Sequence, residues 1–375
     1  MKIGIITYHR AYNYGAYLQA CALCNRLNME KDIQAEIVDF RMKKEINFYQ
    51  NWSWKKKIKR FPDHIFNKTL HKAFDRAIND KVMVKSDKYV LSDSLEDFQK
   101  LVTGKYDVMI AGSDEIWKFN NFRGFPNPYW LIGDLGCRKF SYAASSRTDF
   151  SKLGKENLEA VKKILDEFEY IGVRDEPTFR EVSNAVSDKS KVHMCCDPSF
   201  VYDFGIESRK MSEILKGKAK LDPNKKNVVI MTEDKHIAAS VSAKLGRKYN
   251  LISVFNWNIG CHNIKELTPL EWLSVLKNAD LVLTSFFHAT CFSIIFNTPF
   301  ISFATGSKVS KLEGLFTDED MSRRLIRDIK TFLGSADLTE KIQQAMERPD
   351  FSEYVKERRN GFNEFVEALR DEKNN

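Results

Sequence analysis

The sequence predicts an α/β protein built from two Rossmann-like domains that face a cleft. Short apolar runs alternate with stretches of helical hydrophobic spacing, which is typical of parallel sheets covered by helices. A polar stretch from about 203 to 226 interrupts this alternation once. The 375 residues suit two domains of ordinary size. The hydrophobic fraction of 43% is enough to form two buried cores.

We place the first domain at residues 1–205. The run at Lys2–Tyr8 is apolar and ends in a turn, which predicts a strand, and Leu18, Ala22 and Leu27 share one side of the next helix. The predicted strands are Lys2–Tyr8, Ala35–Phe40, Tyr106–Ile110, Lys139–Ala144, Tyr170–Arg174 and Lys191–Cys196. The predicted helices are Ala16–Met29, Leu153–Phe168 and Glu176–Val186. The opening βαβ unit puts the loop His9–Gly15 at the carboxyl end of the first strand.

We place the second domain at residues 225–330, after a linker with one short helix at Met211–Leu215, and expect C-terminal helices over 335–375. The predicted strands are Asn227–Thr232, Leu251–Phe255, Leu281–Thr284 and Pro299–Phe303. The predicted helices are Ile237–Tyr249, Pro269–Lys277, Ala289–Phe296, Leu338–Met346 and Phe351–Arg370. No Asp, Glu, Lys or Arg occurs from Leu281 to Ser307, but Asn297 and Pro299 interrupt this stretch. A buried strand–helix–strand unit therefore explains it better than a membrane span.

The positive charge of the chain is concentrated in one segment. Residues 41–90 hold fourteen Lys and Arg against five Asp and Glu, a net charge of +9, so the rest of the chain carries −1. We predict a basic helical insert over 41–92 without strands, with helices around Trp54–Arg60 and Phe66–Ile78. The insert is either a helical hairpin with a solvated lysine face or a patch that docks on an anionic membrane surface through 41–90. Because the charge is local, we expect no nucleic-acid partner.

Cysteine usage and the first residues predict a cytoplasmic protein. Seven cysteines in 375 residues do not make a disulfide framework, and MKIGIITYHR lacks the long apolar core of a secretion signal. Cys21 and Cys24 have the spacing of half a zinc ribbon, but their setting is an apolar helix and the chain has no second CxxC. We therefore expect no metal site and no resident cofactor.

The loop after the first strand is the first candidate ligand site. It contains Tyr12, Asn13, Tyr14 and Gly15. Gly15 permits a close approach of the backbone to a ligand, and Asn13 either contacts that ligand or caps the following helix. The loop has no GxGxxG pattern, so NAD binding has little support.

A second candidate loop follows the strand Tyr106–Ile110. It contains Ser113 and Asp114, and Trp117 follows closely. A carboxylate accepts two hydrogen bonds from a vicinal diol, and an indole ring offers a stacking face to a sugar. The alternative is a plain helix cap by Ser113 or Asp114.

Three further strand ends carry candidate residues. Arg174 suits bidentate binding of a carboxylate or phosphate, or pairs with an acidic neighbour. Asp197 precedes a proline and either belongs to a site or ends its strand. Ser285 and His288 lie between an uncharged strand and a helix whose amino end suits phosphate. His288 is therefore a candidate general acid.

Six segments together resemble the polysaccharide pyruvyl transferase family. They are NYGAYLQA (13–20), YDVMIAGSDEIW (106–117), SYAAS (141–145), IGVRDE (171–176), CDP (196–198) and TSFFHATCFSIIFNTPFI (284–301). They span roughly residues 1–315 in the expected order. Each segment alone is weak, whereas the ordered set is quite specific.

The resemblance implies a GT-B-like fold and an enzyme that moves a pyruvyl group from phosphoenolpyruvate to two sugar hydroxyls of a surface polysaccharide or its lipid-linked precursor. The products are a ketal and phosphate. It also implies roles for the candidate residues. His288 would be the acid that protonates the donor or a contact of the departing phosphate. The donor residues are Arg174, Ser285, Ala289 and Thr290. The acceptor residues are Asn13, Tyr14, Gly15, Ser113 and Asp114. A lipid-linked acceptor would bring the protein to the inner face of the cell membrane.

One position departs from the family pattern. Family members often carry an arginine two residues before this histidine, where the present chain has Phe286. Either another cation substitutes, or the donor differs, or activity is lost. The candidate cations are Arg174, Arg147, Lys308, Lys311 and Arg323. The alternative functions are a GT-B glycosyltransferase that uses a nucleotide sugar and a non-catalytic glycan-binding protein.

Overall fold

The computed structural model describes residues 1–50, 61–305, 312–316 and 319–371. These residues divide into two compact units. The first unit holds residues 1–50, 79–202 and 357–371, and the second holds 61–78, 203–305, 312–316 and 319–356.

The first unit is built on a six-stranded sheet in the order β2-β1-β5-β6-β7-β8, with every neighbouring pair parallel. The strands of this unit are β1 (Lys2–Ile6), β2 (Gln34–Ile37), β3 (Phe40–Arg41), β4 (Val90–Leu91), β5 (Val108–Ala111), β6 (Arg138–Ala144), β7 (Tyr170–Val173) and β8 (Val192–Met194). Its helices are Tyr14–Leu27, Lys43–Gln50, Leu95–Val102, Lys155–Asp166 and Glu176–Ala185, with 3₁₀ turns at Pro128–Trp130, Phe150–Lys152, Lys189–Lys191 and Pro198–Phe200. Central strands such as β5 are buried on both faces, as expected for a parallel sheet between helix layers.

The second unit repeats the α/β plan with a different strand order. Its six-stranded parallel sheet runs β11-β10-β9-β12-β13-β14. The strands are β9 (Asn227–Met231), β10 (Asn250–Ser253), β11 (His262–Asn263), β12 (Leu281–Thr284), β13 (Phe300–Phe303) and β14 (Leu325–Ile326). Its helices are Phe61–Ala77, Met211–Ile214, Lys235–Leu245, Pro269–Lys277, Phe287–Ile295, Glu319–Arg323, Ile329–Gly334 and Leu338–Ala345, together with the start of Ser352–Arg370.

In each sheet there is one point from which successive strands are added first toward one edge and then toward the other. In the first unit this point lies between β1 and β5, and in the second between β9 and β12. Open α/β sheets bind ligands at such points, outside the carboxyl ends of the strands. The loops that follow β1, β5, β9 and β12 are therefore where a site is expected.

The predicted fold class is confirmed, since both units are α/β with parallel sheets. The uncharged stretch is confirmed as the unit β12, helix Phe287–Ile295 and β13. No helix among the described residues combines the length and the apolar composition needed to cross a membrane.

The insert differs from the prediction in one respect. A helix is present at Phe61–Ala77, near the predicted Phe66–Ile78, whereas the predicted helix at Trp54–Arg60 lies outside the described residues. The expectation of no strand was wrong, because β4 pairs in parallel with β3. Two-residue strands have no alternating pattern, so the sequence gives no sign of them.

The structure also divides the chain differently from the predicted domain bounds. The helix Phe61–Ala77 groups with the second unit, and the last helix groups with the first unit from residue 357. Phe362 and Phe365 of this helix pack on Tyr142, with ring centroids 5.1 and 4.7 Å apart. Arg138 donates to the carbonyl oxygen of Leu369 at 2.7 Å, which satisfies a helix-end acceptor.

Candidate functional site

The first candidate site forms where β1 and β5 end side by side. Thr7, directly after β1, donates its hydroxyl to the carbonyl oxygen of Ser113 at 3.1 Å. Gly112 makes this approach possible, because a Cβ on it would lie 3.0 Å from Cβ of Thr7. The two loops are thus held together at the point where the sheet favours a ligand.

Arg174 joins three of these strand ends through its guanidinium group. Its Nη1 donates to Oδ2 of Asp197 at 2.6 Å and lies 3.5 Å from Oγ of Ser113, and its Nη2 lies 3.4 Å from Oδ1 of Asp114. The side chains of Arg174 and Asp197 are only 4% and 0% exposed, whereas that of Asp114 is 20% exposed. Asp114 is therefore the carboxylate of this cluster that faces outward.

The cluster keeps its charges despite its burial. Burial alone would lower the pKa of Arg174, but the carboxylates of Asp197 and Asp114 raise the pKa above its ordinary value. Arg174 was a candidate contact of a donor anion or a partner of Asp175 or Glu176. Its guanidinium contacts two carboxylates of the first unit, which suits a residue that positions Asp114.

Backbone strain marks the same edge. Asp114 has φ of +82°, and Ala143 and Arg147 have φ of +54° and +49°. Non-glycine residues rarely adopt this left-handed region, and such residues cluster at functional sites. The carbonyl oxygen of Asp114 accepts from the backbone N–H of Ser145 at 2.9 Å, and Arg147 donates to Oε1 of Glu115 at 2.8 Å. The strained loop is thus tied to the end of β6.

The loop after β1 leads directly into the helix Tyr14–Leu27. Asn13 caps the helix Tyr14–Leu27 by accepting from the N–H of Ala16 at 3.2 Å, so the capping alternative holds for its side chain. Tyr14 and Gly15 are buried. The proposed sugar-stacking role of Trp117 was wrong, because its ring is 0% exposed and stacks on Trp130 at 5.4 Å.

The second candidate site lies between β9 and β12. Ser285 donates its hydroxyl to Oγ1 of Thr232 at 3.2 Å across this point. The next helix begins at Phe287, two residues earlier than predicted. Its first backbone N–H groups therefore belong to Phe287, His288 and Ala289.

Thr290 has a structural role in this helix. Its N–H and its hydroxyl both bond to the carbonyl oxygen of Phe286, at 3.1 and 3.2 Å, and its hydroxyl lies 2.6 Å from Oγ of Ser302. His288 is half-buried, with its ring edge-on to Phe287 at 5.2 Å. The ring of Phe286 packs on Phe255 at 4.5 Å.

The structure places two of the basic residues that were candidates to replace the family's arginine at position 286. Arg147 is bound to Glu115, and Arg323 is exposed and lines a cavity of about 850 Å³. That cavity does not include Ser285 or His288. Lys308 and Lys311 lie outside the described residues.

Sequence reasoning missed a charged cluster beside the first loop. The carboxylate of Asp39, just after β2, accepts from Nε and Nη2 of Arg10 at 2.5 and 2.6 Å, and Nε2 of His9 lies 3.1 Å away. Nζ of Lys85 lies 3.3 Å from the same carboxylate. Burial would raise the pKa of Asp39, but the hydrogen bonds from Arg10 and His9 hold it below its usual range. Charged residues directly after two apolar strands were the signal for this cluster.

The cysteines and acids give no metal centre in the part of the chain that the structure describes. Cys21 and Cys24 are both buried in the helix Tyr14–Leu27, and burial raises the pKa of the Cys24 thiol to about 12. A buried thiol of this kind in apolar surroundings suits a structural cysteine of the core.

Comparisons with experimental structures identify the architecture. UDP-GlcNAc 2-epimerase from Neisseria meningitidis bound to UDP-GlcNAc is 11% identical and superposes with a TM-score of 0.56 over 98% of this chain and 99% of that chain. A putative UDP-N-acetylglucosamine 2-epimerase from Listeria monocytogenes is 9% identical, with a TM-score of 0.57 over 100% and 97% of the two chains. These are GT-B enzymes, and at such low identity they show the fold alone.

The sequence comparison is more specific. No curated protein sequence matches the chain significantly. The family model described as polysaccharide pyruvyl transferase matches residues 13–307, which include the loops that follow β5, β9 and β12. Because this match covers most of the chain, the protein belongs to the polysaccharide pyruvyl transferase family of transferase enzymes.

Proposed function

We propose that this protein transfers the pyruvyl group of phosphoenolpyruvate to two hydroxyls of one sugar, in a surface polysaccharide or its lipid-linked precursor. The observation that carries the proposal is Asp114, an outward-facing carboxylate fixed by the buried Arg174. A fixed carboxylate can accept hydrogen bonds from both hydroxyls of a diol and orient them for attack on one carbon.

The reaction balances without an oxidant or a resident cofactor. A proton adds to the methylene carbon of phosphoenolpyruvate, and the first sugar hydroxyl adds to the cationic carbon next to it. The bond from that carbon to the phosphate oxygen then breaks, and the second hydroxyl takes the vacated position. The ketal and inorganic phosphate are the products, and the two hydroxyl protons end on the new methyl group and on phosphate.

His288 is the proposed acid for the methylene carbon. It stands at the amino end of the helix Phe287–Ile295, where backbone N–H groups and the helix dipole favour the phosphate of the donor. Ser285 and the N–H of Ala289 are proposed phosphate contacts. Thr290 supports this helix start through Ser302.

The acceptor side is proposed at the end of β5. Asp114 would bind the diol, and Ser113 would hold the loop through Thr7 and Arg174. Asn13, Tyr14 and Gly15 would shape the neighbouring wall, with Asn13 acting as the cap of its helix.

Release of phosphate tests this function directly. Purified protein is incubated with phosphoenolpyruvate and a panel of glycan acceptors, and phosphate and the mass of the acceptor are followed. Phosphate release together with a pyruvyl mass increase on the acceptor is the expected result. Turnover of a nucleotide sugar in place of phosphoenolpyruvate, or saturable glycan binding without turnover of either donor, would contradict it.

A cytoplasmic protein that acts on a lipid-linked acceptor would also bind the inner membrane surface. The insert supports this, since Phe48 and Tyr89 are 56% and 42% exposed within the basic segment 41–90. Exposed aromatic rings beside basic residues favour an anionic lipid interface. Flotation with anionic vesicles and failure to float with neutral ones is the expected outcome, and equal behaviour with both would refute it.

A further inference from the structure

The first unit contains two neighbouring buried carboxylates, Asp39 and Glu45, that are surrounded by more basic side chains than are needed to neutralise them. Asp39 contacts Arg10 and Lys85, as described above. Oε1 of Glu45 accepts from Nε of Arg123 at 2.6 Å and from the hydroxyl of Tyr129 at 2.7 Å. Arg41 approaches the other oxygen of Glu45 at 3.9 Å. Four Arg and Lys side chains thus surround two carboxylates.

Arg41 is the least satisfied of these cations. Its side chain is 7% exposed, and within the described part of the chain its Nε and Nη2 are buried without a hydrogen-bond partner. The carboxylate of Glu45 is held by Arg123 and Tyr129 and stays beyond hydrogen-bond distance of Arg41. A buried guanidinium with unused donors costs free energy unless an anion binds it.

The two halves of this cluster meet at Tyr89. The guanidinium of Arg10 lies 4.2 Å from the centroid of its ring. Burial raises the pKa of the Tyr89 hydroxyl, and the charges of Arg10, Arg41, Asp39 and Glu45, which come from both halves, also act on this pKa. Pairing of β3 with β4 sets Arg41 opposite Leu91, close to Tyr89 in the chain. The side chains of Arg10 and Lys85 are 18% and 21% exposed, so the cluster opens to solvent.

The cluster adjoins the proposed acceptor loop. The Arg41 guanidinium lies 5.3 Å from the ring centroid of Tyr12, which immediately precedes Asn13. His9 and Arg10 follow β1, at the edge where this sheet favours a ligand. A planar guanidinium matches the oxygens of a phosphate group in a bidentate manner.

We propose that Arg41, together with Arg10 and Lys85, forms a subsite for a phosphoryl group of the acceptor. This assignment rests on the proposed function, because it takes the first unit as the acceptor side. The ligand class is a sugar that carries a phosphodiester or pyrophosphate, as in a glycan linked to its lipid carrier. The excess of two positive charges in the cluster matches such a group.

Calorimetric titration of the full-length protein with inorganic pyrophosphate tests the subsite without turnover. We expect Arg41→Gln to weaken the Kd at least tenfold and Arg41→Lys, which keeps the charge but loses the planar fork, to weaken it less. Arg180→Gln is the matched control, since this exposed arginine of the same unit pairs with Glu181, which does not belong to the cluster. An Arg41→Gln Kd equal to that of the control would overturn the proposal. If Arg41→Gln fails to fold, Lys85→Gln replaces it with the same expectation.

Competition identifies the source of the phosphoryl group. A short-chain prenyl pyrophosphate sugar is expected to displace pyrophosphate, whereas saturating phosphoenolpyruvate should leave it bound. Displacement by phosphoenolpyruvate would assign the cluster to the donor and refute the acceptor subsite. Displacement by free glucuronate would show a carboxylate site instead. These titrations measure binding and do not need pyruvyl transfer. If no pyruvyl transfer is found but pyrophosphate binding still depends on Arg41, the proposed function is rejected and the phosphoryl subsite is retained.

Discussion

Arg174 and Asp197 form a buried ion pair, 2.6 Å between Nη1 and Oδ2, that fixes the outward-facing Asp114. Asp197→Ala would leave a buried guanidinium without its main partner. We expect a loss of about 3–5 kcal/mol in the free energy of unfolding, as is typical when one member of a buried pair is removed. Urea unfolding followed by circular dichroism measures this loss.

The matched control is Glu96→Ala, which removes an exposed partner of Lys100 in the same unit. Surface pairs contribute little, so its unfolding free energy should change by less than about 1 kcal/mol. Equal effects of the two variants would show that Arg174 does not depend on Asp197.

Two replacements of Asp114 distinguish the role of its carboxylate from the role of its backbone conformation. Asp114→Asn removes the charge, and we expect kcat/KM for the acceptor to fall about 10- to 100-fold, from the loss of a hydrogen bond to a charged group. Asp114→Gly keeps the φ of +82° at no steric cost, so it should fold normally and lose activity as well. Wild-type kinetics in both variants would exclude Asp114 from the acceptor site.

His288→Ala is expected to fold normally and to lose about 100-fold or more in kcat, as for removal of a general acid. His236→Ala is the control, because His236 is an exposed histidine of the same unit. Phosphate release and thermal melting are measured on both. A His288→Ala rate near that of the control would assign the proton to another group.

Phe286→Arg tests the position where this chain departs from its family. The aromatic ring that packs on Phe255 cannot bind the donor anion, whereas a guanidinium at the helix start can. We expect KM for phosphoenolpyruvate to fall about tenfold, with Phe286→Gln as the uncharged control. An unchanged KM in both would show that the donor does not approach residue 286.

The buried Asp39 predicts how stability depends on pH. Its folded pKa lies below the unfolded value of about 3.9, so its contribution is complete above that value and is lost as the pH falls below it. The free energy of unfolding should fall with decreasing pH by up to about 1.4 kcal/mol per pH unit from this one group. Asp39→Asn should flatten the profile between about pH 4 and pH 2. Parallel profiles of the two proteins would contradict the depressed pKa.

The sequence predicted the sheet-forming strands well because their apolar runs must be buried between helix layers. β1, β5, β7 and β12 were each placed within two residues at each end. The sites at the ends of β5 and β12 followed from these strands, since the carboxyl edge of a parallel sheet is fixed once its strands are known.

What the sequence could not predict were partnerships between distant residues. Arg174 has acidic neighbours in the chain, yet it pairs with Asp197 and Asp114, which β8 and β5 bring to it. The prediction that Trp117 stacks on a sugar fails because Trp130 stacks on it from the turn Pro128–Trp130, which has no strand or helix pattern in the sequence. Such contacts depend on packing between segments, which local periodicity does not encode.

The docking of Phe362 and Phe365 on Tyr142 has a consequence for synthesis of the protein on the ribosome. The helix Ser352–Arg370 supplies these rings to the first unit, so this part of its aromatic core is covered only after residues 357–371 have been synthesised. Domains commonly fold in the order in which they emerge. Here the described segments of the second unit end at residue 356, so this unit can fold before the first unit has received all of its aromatic core.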